Sequence, residues 1–62
     1  MNTKEAYKYL ARRQDTLKGE INEIKDFLKN EHLPRCVRSQ SENLLRSKQQ
    51  ELVAIDSILE GV

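Results

Sequence analysis

Residues 10–28 read LARRQDTLKGEINEIKDFL, and this stretch decides the fold. Leu10, Leu17, Ile21, Ile24 and Leu28 recur at alternating spacings of three and four, interrupted only by Gln14. That spacing draws one apolar stripe along a helix, at the period used when two helices pack side by side. With Tyr7, Gln14, Ile21 and Leu28 at heptad position a, the d positions are Thr3, Leu10, Leu17, Ile24 and Glu31. The opposite f positions are Glu5, Arg12, Gly19 and Asp26, a solvated back. Asn2 with Glu5 three residues on has the form of a capping box. Lys29-Asn30 supplies a cation and a residue tolerant of the left-handed conformation, as suits a helix end. The pattern predicts a first helix over about residues 3–31.

Beyond this helix lies Pro34, the only proline. It divides the chain nearly in half and fits the first helical position, where its missing N–H costs nothing. A second seven-residue repeat follows, with Arg38, Leu45, Leu52 and Leu59 at a and Ser41, Lys48, Ile55 and Val62 at d. Val37, Leu44 and Ile58 at g widen the apolar face beyond a two-stranded seam. Ser39 with Glu42 offers a later capping box, but Val37 is in phase with Leu44, which favours the earlier start. The second helix is predicted over about residues 35–60, ending near Gly61.

Two helices joined by roughly three residues fold back as an antiparallel hairpin. Charge agrees. Residues 1–18 carry a net +3 and residues 19–33 a net −2, followed by +3 over residues 34–49 and −3 over residues 50–62. Turning at Pro34 sets each block against one of opposite sign, a small bias toward this topology. The prediction is an all-α protein, with residues 1–62 forming a single helical-hairpin domain. No stretch alternates apolar and polar residues in the manner of a strand.

Sixty-two residues with 34 % charged side chains leave a thin core for a lone hairpin. The remaining apolar flank, which includes some of Phe27, Leu44, Val53 and Ile58, would also stay uncovered. Both points predict a homo-oligomeric helical bundle, with a two-fold dimer forming four helices as the simplest closed assembly. Its core is expected to contain Leu10, Gln14, Leu17, Ile21, Ile24, Leu28, Leu45, Lys48, Leu52, Ile55 and Leu59. Gln14 and Lys48 are polar in core register. They either lie at the edge, Lys48 reaching its amine to water, or set register and partner number.

Composition excludes several classes. No apolar stretch approaches the roughly 20 residues a membrane helix needs, and the segment 1–5 lacks the apolar run of a secretory signal. One cysteine, Cys36, cannot form an intramolecular disulfide; a reducing, cytoplasmic setting is the expectation. With one His and one Cys there is no zinc quartet, no glycine-rich phosphate loop and no nucleophile–base set. No cofactor or metal is expected, and the chain reads as a non-enzyme.

Two basic groups remain. Lys29, His32, Arg35 and Arg38 gather at the turn, where a helix start also favours an anion. These cations equally suit a solvated face paired with Glu31 and Glu42. Tyr9 with Arg12 and Arg13, beside Lys4 and Lys8, sets an aromatic among cations, able to stack a base and hold phosphates. Neutralisation by the acidic tail of the second helix explains this group as well. The net charge of +1 argues against a dedicated nucleic-acid binder. The leading expectation is therefore a small regulator or inhibitor that binds itself and a larger protein or a phosphate-bearing ligand such as a nucleotide. The alternatives are RNA or DNA binding through either basic group, and a purely structural oligomerisation module. No motif is diagnostic of a family.

Overall fold

The structure is a computed structural model and describes residues 3–61. Two helices, α1 (Thr3–Leu28) and α2 (Arg35–Glu60), pack against each other as a hairpin. Each has 26 residues, about 39 Å of rod at about 1.5 Å per residue. The molecule measures 47 × 18 × 14 Å.

The core follows the heptads. Leu17, Ile21 and Ile55 are buried, with Leu17 fully enclosed. Leu10, Gln14, Ile24 and Leu28 on α1 and Leu45, Lys48, Leu52 and Leu59 on α2 are half-buried along the same seam. A two-helix seam has only one layer of partners on each side, which is why full burial is confined to its middle. Val62 and the Asn2 half of the expected capping box lie outside the described residues.

The connection departs from expectation. It spans residues 29–34, six residues rather than about three, because α1 stops at Leu28 and not near Glu31. Lys29 and Asn30 donate their N–H groups three residues back, to the carbonyls of Asp26 and Phe27, tightening the last turn. The Arg38 guanidinium then takes the carbonyls of Leu28 at 3.1 Å and Asn30 at 2.6 Å, so the exposed end of α1 is closed by a side chain of α2. Among the described residues no residue other than glycine has a positive φ. Asn30 thus turns the chain through its side chain, whose Oδ1 accepts the His32 N–H at 2.9 Å. Leu33 is half-buried within the connection. Pro34 stands one position earlier than expected. At φ −57° and ψ 149° it is the N-cap, and its carbonyl accepts the first helical bond from Arg38 at 3.0 Å. The start at Arg35 sets aside the later alternative at Ser39. At the far end the Gly61 N–H closes α2 on the Ser57 carbonyl, without a left-handed turn.

Candidate association surface

A hairpin seam has two edges, formed on each helix by the residues at g and at e. On the g edge, α1 contributes Ala6, Arg13, Glu20 and Phe27, and α2 contributes Val37, Leu44, Glu51 and Ile58. The two series lie on one side of the molecule, because Arg13 and Glu51 meet. Arg13 Nε donates to Glu51 Oε1 at 3.0 Å and Nη2 to Oε2 at 3.2 Å, a two-pronged pairing that fixes direction as well as contact. Arg13 Nη1 also lies 3.9 Å from Glu20. Glu20 in turn accepts from Lys48 Nζ at 2.5 Å. Two cations and two anions are therefore locked across the middle of this edge. Hydrogen bonding from Arg13 holds the Glu51 carboxyl below its usual range, and the same bond raises the Arg13 guanidinium.

Apolar side chains flank this charged centre. Phe27 and Leu44 lie toward the turn, and Ile58 toward the open end. Tyr9, at the neighbouring c position, lies beside Arg13 at that open end. Tyr9 (61 %), Phe27 (43 %), Leu44 (50 %) and Ile58 (52 %) are four of the five large apolar residues left exposed among the described residues. The fifth, Val53, belongs to the other side of α2, in a shallow groove with Arg46, Gln49 and Gln50.

The e edge differs in kind. It carries Lys4, Ala11, Lys18 and Lys25 from α1 against Glu42, Gln49 and Asp56 from α2. All are exposed except Asp56, which accepts a hydrogen bond from Gln14 Nε2 across the seam. Gln14 and Lys48 are thus both bonded to the opposite helix of the same hairpin.

The basic residues singled out at the turn do not converge on one site. Lys29 pairs with Asp26 at 3.2 Å rather than with Glu31. Arg38 spends its guanidinium on the carbonyls that end α1. His32 and Arg35 are exposed, as is Cys36. In the second group Tyr9 and Arg12 are exposed, while Arg13 is committed to Glu51. Sequence reasoning missed the partners Glu20, Glu51 and Asp56. The signal for Glu51 was present in the −3 block over residues 50–62 facing the +3 block over residues 1–18.

Among the described residues no group of three or more His, Cys, Asp or Glu side chains could hold a metal ion. Among the described residues no helix is long and apolar enough to cross a membrane. Comparison with protein-family models, with curated proteins and with solved structures finds no match to this chain.

Proposed function

We propose that the protein is a small non-catalytic interaction module that works as a homo-oligomer, its hairpins packing in pairs as a four-helix bundle whose outer faces meet a larger protein. One observation carries this reading: Tyr9, Phe27, Leu44 and Ile58 stay exposed along one edge after the hairpin has formed. Scattered exposed apolar residues such as Val53 are ordinary on a soluble protein, but four gathered along one edge of a rod are the pattern of a surface that packs. The thinness of the core adds weight, since only Leu17, Ile21 and Ile55 are buried among the described residues and only Leu17 is fully enclosed. Small chains of this kind commonly draw part of their stability from association. The phosphate-binding alternative draws less support, because Arg13 and Arg38, one from each basic group, are occupied within the hairpin.

Sedimentation equilibrium at micromolar concentration tests the reading. The expected result is a mass at least twice the 7.3 kDa of the chain. A folded species at the single-chain mass overturns it, and nucleic acid retained through purification turns the assignment toward RNA or DNA binding.

A further inference from the structure

The occupant of the apolar edge can be read from its charge and its size. Arg13 and Glu51 are level with each other, and Glu20 and Lys48 are level further toward the turn. The cations therefore stand on one diagonal of the cluster and the anions on the other. A second hairpin laid face to face on this surface by a two-fold axis meets it cation over anion. This holds in either direction: Arg13 is set over a copy's Glu51 when the two turns lie together, and over a copy's Glu20 when they lie apart. In both cases the apolar ends also fall on apolar ends. The broad face has an outline of 47 × 18 Å, about 850 Å², so a second copy laid along most of its length is needed to approach the about 800 Å² that each partner contributes to a standard stable interface. Other occupants fit less well. A strongly acidic or basic peptide would meet two charges of its own sign, and the acyl region of a lipid surface would cover the four charges without supplying the opposite charges that a second copy sets over them.

Resting on the homo-oligomer reading, we propose that the edge bearing Tyr9, Phe27, Leu44 and Ile58 is covered by the same edge of a second copy, with the cluster of Arg13, Glu20, Lys48 and Glu51 at the centre of the interface. The polar e edge, with Val53, stays outside the interface and faces solvent or a third component.

The test compares association constants of the full chain and three variants by sedimentation. Leu44→Glu with Ile58→Glu places four like charges in each dimer and is expected to weaken association at least about 100-fold. Leu44→Ala with Ile58→Ala keeps high helix propensity and adds no charge, so the hairpin still forms, and association is expected to fall about 10-fold. Gln49→Glu with Val53→Glu, on the other edge, is expected to leave it within about threefold. A wild-type chain that is monomeric overturns the oligomer reading and this inference together. A wild-type dimer that tolerates both changes at Leu44 and Ile58, or that dissociates on Gln49→Glu with Val53→Glu, overturns this inference alone.

Discussion

The two edges of the hairpin come from the same heptads and meet the same seam, yet their chemistry is opposite. The e edge opposes the lysines of α1 to Glu42 and Asp56 of α2 and leaves no large apolar side chain at its own positions. The g edge gathers its charges into one locked cluster at mid-length and leaves apolar side chains toward both ends. On α1 the g edge is also rolled closer to the seam, with Ala6, Arg13 and Glu20 half-buried and the e residues exposed, and the two edges differ further in the need of each for cover. An edge of solvated ions is finished when the hairpin closes. An apolar row still has surface to bury.

The largest expected effect removes the seam that both edges share. Leu17 is fully enclosed, so Leu17→Asp leaves an unpaired charge at the centre of the core and should cost more than about 4 kcal/mol. Loss of the helical circular dichroism signal at 25 °C is the measurement, and a variant that melts cooperatively near the parent temperature would contradict it.

A smaller effect sits on the e side. Gln14 donates to Asp56 at a half-buried position, a hydrogen bond to a charged acceptor. A double-mutant cycle with Gln14→Ala and Asp56→Ala in urea should return a coupling of about 1–2 kcal/mol. If the coupling is zero, Asp56 is served by water and the e edge owes nothing to the seam.

Gly19 lies on the back of α1, away from both edges. A Cβ added there meets nothing within 4 Å, and the residue is exposed in mid-helix. Gly19→Ala should stabilise the protein by up to about 1 kcal/mol without altering association, read from paired urea and sedimentation experiments.

The smallest effect belongs to the charged centre of the g edge. Glu51 is held below its usual range by Arg13, so the stability it contributes is present above the ordinary carboxylate value and disappears as pH falls through the lowered one. Coupling in the Arg13→Ala, Glu51→Ala cycle should therefore vanish in acid and weaken with salt, because both side chains reach solvent in the hairpin. Within the proposed dimer the pair is covered, and the salt dependence should flatten as protein concentration rises through the association range. A salt dependence unchanged across that range would remove the charged cluster from the interface.

Much of this architecture was legible in residues 10–28 and in the repeat after Pro34. The eleven side chains from Leu10 to Leu59, expected as the core of an oligomer, are buried or half-buried already in the single hairpin, since burial along a helix is written directly in the spacing of apolar residues. The fates of the arginines were not legible. Arg13 and Arg38 read as members of basic patches, and both turned inward, one to the Glu51 carboxylate and one to the carbonyls of Leu28 and Asn30. Nothing within either helix states which residue of the other will be level with it.

That division has a physical cause. The sequence by itself determined two helices, the stripe on each and the break near Pro34, because these depend on neighbours within about one helical turn. Tertiary structure decided the stagger and the roll of one helix against the other. The roll left Ala6, Arg13 and Glu20 half-buried while Lys4, Ala11, Lys18 and Lys25 stayed exposed, making one edge of α1 part of the seam and the other part of the surface. The stagger brought Arg38 to the end of α1, where its guanidinium takes the carbonyls of Leu28 and Asn30 across a six-residue connection. Both are displacements of a few ångströms set by how whole rows of side chains interlock, a quantity that no single helix contains.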